Sequence, residues 1–343
     1  MAAASASVKG LAPAARAGGL VVLTLLLGGV LVLSITVGAR PIAIGDIWNA
    51  FFAFDPGQTT HRIILDLRVP RTLVGLLVGA ALGLSGAILQ GATRNPLADP
   101  GILGINAGAT LCVVLGISFL GITQLSHYVW LAFLGAGLAT VLVYLIASLG
   151  REGATPVKLA LAGAAVTAAL TSVTSGVLIT NVETLDQIRF WQVGALTGRT
   201  TEILVQVAPF ILAGIVLALS TSRILDGLAM GDDVARGLGL NVQGSRAIVG
   251  LAAVILAGAA TAAAGPIAFI GLTVPHVARA LTGPNHRWLL PYSMVLAPIM
   301  LIGADIVGRI IVPPGELQVG IVTAALGAPF FIALVRRRKL AEL

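Results

Sequence analysis

From Leu20 to Gly38 nineteen residues pass without a charged side chain, and apolar runs of similar length recur through most of the chain. A helix needs about 20 apolar residues to cross the ~30 Å hydrocarbon core of a bilayer. A segment in lipid must also satisfy its backbone hydrogen bonds internally, which leaves helices or closed barrels. The runs are too long for barrel strands, so the chain reads as an all-α polytopic membrane protein. On this ruler it divides into ten spans, near 20–38, 71–92, 102–120, 127–149, 158–179, 203–221, 247–265, 268–281, 289–311 and 317–335, the eighth being short. Lys9 to Arg16 followed by the first run has the charge order of a signal peptide. The run exceeds the roughly 7–15 residues of a cleaved apolar region, so it is expected to stay as the first span.

Composition excludes the alternatives. With 57% hydrophobic and 10% charged residues and a mean hydropathy of +1.00, a soluble fold would lack polar surface. Cys112 is the one cysteine, so an intrachain disulfide is impossible and the residue reads as a small apolar filler. A net charge of +7 does not point to nucleic acid. The one basic cluster, Arg336-Arg337-Arg338-Lys339, directly follows an apolar segment and reads as a cytoplasmic stop.

The distribution of the 21 Lys and Arg orients the chain. If the first span runs outward, only Arg40, Arg62, Arg68, Arg71, Arg189, Arg199 and Arg309 lie outside. All others lie inside, which places both termini in the cytoplasm. The expected organisation is a cytoplasmic tail over 1–19, one transmembrane domain over 20–335, and a basic cytoplasmic tail over 336–343. Residues 39–70 and 180–202 are longer stretches outside, and 222–246 is a cytoplasmic segment. In it Asp232-Asp233 suit the positive end of a helix, with Gly237 and Gly239 as a stop, so a short amphipathic helix is expected on the cytoplasmic face.

An internal repeat is also present. Sliding the sequence by 175 places Arg71, Val74, Gly75, Leu76, Gly83, Ala87 and Pro100 on Arg246, Val249, Gly250, Leu251, Gly258, Ala262 and Pro275. Five crossings separate the second span from the seventh, so the copies run in opposite directions, as in inverted-repeat transporters.

Several sites have both a structural and a functional reading. Gly75, Gly79 and Gly83 recur every four residues and favour close helix packing. The stretch Arg94-Asn95-Pro96-Leu97-Ala98-Asp99-Pro100 could be a plain cytoplasmic turn or the lining of a wet pathway, the only settings that tolerate irregular backbone at the membrane edge. Gly265-Pro266-Ile267-Ala268-Phe269 poses the same choice. Arg68 and Arg71 flank Pro70 at the outer start of the second span and suit carboxylates or lipid headgroups. Asp305 lies within the ninth span, where it could be an ion site or the i,i+4 partner of Arg309.

No HExxH, Gly-x-Ser-x-Gly elbow or Gly-x-x-x-x-Gly-Lys-Ser/Thr loop is present. The chain does not bind ATP through a P-loop. Three readings remain: the membrane subunit of a pump whose motor is another chain, an ion-coupled secondary transporter, and a membrane enzyme. The cytoplasmic helix favours the first.

Leu67-Arg68-Val69-Pro70-Arg71-Thr72-Leu73, GATRNPLADPGILG over 91–104, GDDVARGLGLNV, GPIAFIGLTVPHVARALTGPNHRWLLP, GADIVGR and GELQVGIVTAALGAPFF follow in order from about residue 40 to 335. Together they resemble the iron-siderophore, haem and vitamin B12 importer permeases of the ABC class. LADPGILGINAGA is closest in pattern to the ferric enterobactin branch.

The resemblance implies a type II ABC importer permease fold, without catalytic activity or a bound cofactor or metal of its own. ATP and magnesium belong to a pair of ATPase subunits below a dimer of permeases, this chain pairing with itself or a paralogue, and an extracytoplasmic substrate-binding protein docks from outside. Arg68, Arg71 and Arg309 would receive its acidic side chains. Asn95 and Leu97 would line the cytoplasmic constriction with the Thr155-Pro156 turn. Gly231, Asp232, Asp233, Val234, Ala235, Arg236, Gly237, Leu238 and Gly239 would form the coupling helix seated in the ATPase. The implied cargo is an iron-siderophore, with haem and cobalamin as alternatives.

Overall fold

The glycine ladder of the second span sets the packing order. The computed structural model describes residues 12–38, 40–149, 155–312 and 315–339. Its helices in chain order are α1 (Pro13–Thr36), α2 (Ile44–Phe52), α3 (Thr59–Arg62), α4 (Val69–Thr93), α5 (Ile105–Leu120), α6 (Leu125–Ala147), α7 (Pro156–Thr180), α8 (Val182–Gln192), α9 (Thr201–Ser220), α10 (Ser222–Ala229), α11 (Asp232–Gly237), α12 (Val242–Ala264), α13 (Ile270–Thr282), α14 (His286–Ile311) and α15 (Val319–Lys339). The description covers neither Lys9 nor residues 150–154 before the Thr155-Pro156 turn.

α4 lies at the centre because one side of it is nearly bare backbone. A Cβ on Gly79 would lie 2.6 Å from the Cα of Pro298 in α14, and one on Gly83 would meet Ser293 O and Ala297 Cβ. On another side a Cβ on Gly86 would overlap the carbonyl of Gly271 in α13. Helices in lipid gain nothing from hiding apolar surface from one another, so close backbone approach and the dispersion it permits hold these crossings together. The packing reading of Gly75, Gly79 and Gly83 is the correct one.

Among the described residues seven helices are long and apolar enough to cross a membrane: α1, the continuous Thr59–Thr93 helix, α6, α7, α9, α12 and α14. Ile105–Leu120 and Val319–Ala333 are apolar but shorter. α13 has 13 residues, which rise about 20 Å. Of the ten expected spans, seven correspond to helices that meet the length and composition of a crossing, and those at the third, eighth and tenth places are shorter apolar helices. Each short helix follows irregular backbone: a 3-10 turn over Pro100–Leu103 closed by Gly104 at φ +72°, the break at 265–269, and the 315–318 segment.

The second span also begins earlier than its first apolar residue suggests. Helix runs on from Thr59 through a π-helical turn, Ile63–Arg68, into α4. A proline ring at position 70 would press on the carbonyl of Asp66 in a regular helix. The wider turn relieves that clash, so Pro70 is accommodated within a longer helix where the sequence alone suggests a start.

α4 and α12, the repeat-related helices, pack against each other in opposite directions. The C-terminal end of α4 and the N-terminal end of α12 meet one shared side chain, Asp232. The break at Gly265 sits between them and α13, with φ +78° and no room for a Cβ beside the carbonyl of Trp191. Its neighbours are satisfied within the protein, Ala195 N donating to Ala264 O at 2.7 Å, which is the condition for irregular backbone at this depth.

Candidate functional site

The orientation read from the basic residues names an inner face, at Arg94 and Asp232, and an outer face, at Arg71 and Arg309. On the inner face α4 ends on Arg94, a non-glycine residue in the left-handed region at φ +51°. That bend aims its guanidinium across the face, where Nη2 donates to Asp232 Oδ1 at 3.0 Å. Arg246 Nη2, at the start of α12, donates to the same oxygen at 3.0 Å. One carboxylate at the start of α11 therefore holds the ends of both central helices. α10 is fixed separately, since Asp226 accepts from the backbone N–H of His286 at 3.0 Å and lies 2.7 Å from its Nδ1 at the start of α14.

α11 is short because both ends are set by glycine. Gly231 enters at φ +105°, and Gly239 at φ +82° lets Leu240 N donate back to Ala235 O at 3.0 Å. Gly237 has ordinary helical backbone, so the stop rests on Gly239 and not on the pair. Ala235 is buried with Leu228 and Val242. Met230, Val234 and Leu238 point away, 62%, 50% and 64% exposed. Asp233 and Arg236 form only a solvent-screened surface pair at 3.2 Å.

Beyond Arg94 the chain folds on its own side chains. Asn95 Oδ1 accepts from Leu97 N at 2.9 Å, and Asp99 Oδ1 caps the 3-10 turn by accepting from Gly101 N at 2.8 Å. Asn95 and Asp99 line a cavity of about 360 Å³ together with Val157 and Leu161 of α7. Burial pushes the Asp99 carboxyl above the usual carboxylate range, against the opposing pull of the Gly101 N–H. Of the residues expected at the constriction, Asn95 is on this wall. Leu97 is exposed beside it. Thr155 is the N-cap of α7, accepting from Lys158 N at 3.3 Å, and Pro156 opens the first turn.

The outer face departs from expectation. Arg68, Arg71 and Arg309, expected to receive acids of a docked protein, are largely buried and bonded within the chain. Arg71 donates to Asp305 at 2.7 and 3.0 Å and to Glu316 at 2.8 Å. Arg309 donates to Asp305 through Nε at 3.0 Å and again through Nη2, and to the carbonyl of Ser34 at 2.6 Å. Arg68 donates to the carbonyls of Ile35, Thr36 and Arg40. The reason lies in α1, whose last carbonyls lack partners in their own helix and recruit the two arginines. Asp305 and Arg309 are an ion pair, as their spacing suggests, but Arg71 shares the same acid. Glu316 is missed by sequence reasoning because it lies 245 positions from Arg71 and no local spacing relates them.

The chain matches the FecCD transport family over residues 23–337. It is 46% identical over 307 residues to the ferric enterobactin transport system permease protein of Escherichia coli (strain K12), covering 89% of this chain and 91% of that protein. The Fe(3+)-citrate import system permease protein of Bacillus subtilis (strain 168) is 45% identical over 305 residues, covering 89% and 90%. The hemin transport system permease protein of Yersinia pestis is 36% identical over 312 residues, covering 89% and 91%. Among solved structures the chain superposes on an inward-facing metal-chelate type ABC transporter with a TM-score of 0.81 and 29% identity, covering 94% of this chain and 99% of that one. A helical, multi-pass chain with this extent of match belongs to the FecCD transport family of membrane permeases.

Proposed function

We propose that this chain is the permease subunit of an ATP-driven importer that passes an iron-siderophore across the cytoplasmic membrane. One observation carries the pump reading. The segment from Met230 to Leu238, with α11 at its centre, exposes Met230, Val234 and Leu238, while Asp232 ties it to α4 and α12. An apolar face on a short helix, linked by charge to the central helices, is what a motor subunit needs in order to grip and move a permease. Thr93 and Asn95, the neighbours of Arg94 in the chain, both line the inner cavity, so displacement of α11 would reach its wall through Arg94. ATP and magnesium would be bound by two separate ATPase subunits. A second permease subunit would complete the pathway, and an extracytoplasmic binding protein would deliver the chelate. The cargo reading rests on the higher identity to the enterobactin and citrate permeases than to the hemin permease.

The test is uptake into proteoliposomes holding the chain with its cognate ATPase and binding protein, using radiolabelled iron in siderophore, haem and labelled cobalamin in parallel. Uptake of the ferric siderophore that requires ATP and ignores a protonophore is expected. Uptake driven by an ion gradient without ATP would reject the pump reading, and preference for haem or cobalamin would reject the cargo. We take both termini to be cytoplasmic on the distribution of Lys and Arg, and on that reading a cysteine at Gly57 and one at Leu238 should label from opposite sides of the membrane. Leu238 is the suitable inner position because it is exposed, whereas Ala235 is buried.

A further inference from the structure

The outer face holds a buried guanidinium that no acid among the described residues neutralises. Arg199, in the turn between α8 and α9, is 4% exposed. Its Nε donates to Ala195 O at 3.1 Å, and its Nη2 has no acceptor. Glu316 lies on the same cavity but is engaged by Arg71 and by Thr197 at 3.1 Å. Burial and the like charge of Arg71 push the Arg199 guanidinium down to about 10, which leaves it cationic at neutral pH. A buried charge without a counter-charge is costly. A fold that keeps one beside a cavity gains most when an anion arrives there.

The cavity has the room and a second donor. It measures about 610 Å³ and is lined by Trp191, Thr197, Arg199, Glu316 and Gln318, among others. Trp191 is 3% exposed, and its indole Nε1–H also lacks an acceptor. Across the outer cluster four guanidiniums, those of Arg68, Arg71, Arg199 and Arg309, face the two carboxylates of Asp305 and Glu316. The imbalance is positive, and the unpartnered buried atoms of the cavity's lining residues are the donors Arg199 Nη2 and Trp191 Nε1 and the acceptor Gln318 Oε1.

We propose that this outer cavity binds a carboxylate, with Arg199 and Trp191 as its donors. The planar fork of a guanidinium matches the two oxygens of a carboxylate, and an indole N–H adds a third hydrogen bond. An acidic side chain of a docked protein and a small carboxylate free in solution carry the same group, and two measurements separate them.

The first uses the full chain in lipid nanodiscs, with sodium acetate replacing sodium chloride at constant ionic strength and the thermal unfolding midpoint as the readout. The second measures association of the cognate binding protein with the nanodisc-held transporter, with and without acetate, and rests on the permease reading. Arg199→Gln is expected to lower carboxylate affinity by about tenfold or more, and Trp191→Phe, which keeps the ring and loses the N–H, by roughly threefold. Acetate stabilisation lost in both variants assigns a site for free carboxylates. Weakened binding-protein association in both variants, with acetate as a competitor in the wild type, assigns an acidic side chain. If acetate and chloride stabilise the wild type equally, and both variants bind the binding protein as the wild type does, the proposal is wrong. Should the wild type associate with no binding protein and import no chelate, the permease reading fails, and the acetate measurement alone still decides this one. Trp191→Phe keeps the test sharp if Arg199→Gln does not fold.

Discussion

Asp305→Asn removes one charge and almost no volume from the most buried ionic cluster among the described residues. Asp305 is 2% exposed and accepts from Arg71 at 2.7 and 3.0 Å and from Arg309 at 3.0 Å and again through Nη2. Deleting one partner of a buried ion pair costs about 3–5 kcal/mol, because the other charge stays desolvated and unpaired. Here the loss is softened. Arg71 retains Glu316, and Arg309 retains the Ser34 carbonyl, so the lower end of that range, about 3 kcal/mol, is expected. For a chain of this size that is a fall in unfolding midpoint of roughly 4 °C. The assay is thermal unfolding of the purified chain in one detergent, followed by loss of the monodisperse elution peak. The double change Asp305→Leu with Arg309→Met, which leaves Arg71 with Glu316, should recover at least half of the loss, since apolar replacements of buried pairs are often neutral. A wild-type midpoint for Asp305→Asn, or a double variant as unstable as the two single changes added together, would refute the charge-compensation argument. Folded Asp305→Asn should also keep ATP-driven uptake that a protonophore does not affect. Loss of that uptake with folding intact would make Asp305 an ion site.

Asp232→Asn should leave the fold within about 1 kcal/mol of wild type, since its ion pairs are partly exposed. It should nevertheless reduce chelate uptake per ATP hydrolysed in proteoliposomes; an unchanged ratio means that Asp232 transmits nothing. Leu238→Glu or Val234→Glu should insert and fold normally while losing co-purification with the ATPase, and normal co-purification of both variants removes α11 from the interface. Gly79→Val should abolish the monodisperse peak, because even its Cβ would lie 2.6 Å from the backbone of Pro298; a stable Gly79→Val chain would mean that α4 and α14 do not cross there.

The helical fold was legible because the bilayer imposes one length and one hydrogen-bonding rule on every crossing. Runs of apolar residues mark α1, α6, α7, α9, α12 and α14 within a few positions. The same ruler failed where the backbone departs from a single straight helix. It started the second span at Arg71, since proline usually opens or breaks helices, and nothing in a hydropathy profile signals a π-helical turn across Ile63–Arg68. It marked 268–281 as a short eighth span, and α13 begins at Ile270 because the break at 265–269 takes up the first positions.

The site was legible where the chemistry is local and opaque where it is not. Gly231 and Gly239 bound α11 by conformation, and Asn95 and Asp99 bond to residues two positions ahead, so short spacings carry the information. The charge pairs have no such period. Arg71 meets Asp305 and Glu316 across 234 and 245 positions, and Arg94 meets Asp232 across 138. From sequence alone an arginine at a helix end is equally suited to solvent, lipid headgroups, a partner protein or a distant acid. The choice between them is made by packing, because α14 brings Asp305 against α4 only once Gly79 and Gly83 have let the two backbones close. Of the arginines read as docking residues, Arg71 is paired for that reason, while Arg68 and Arg309 are held by the last carbonyls of α1. Arg199, which no acid among the described residues neutralises, was counted only as one of the seven outside, because no local spacing marks a missing counter-charge.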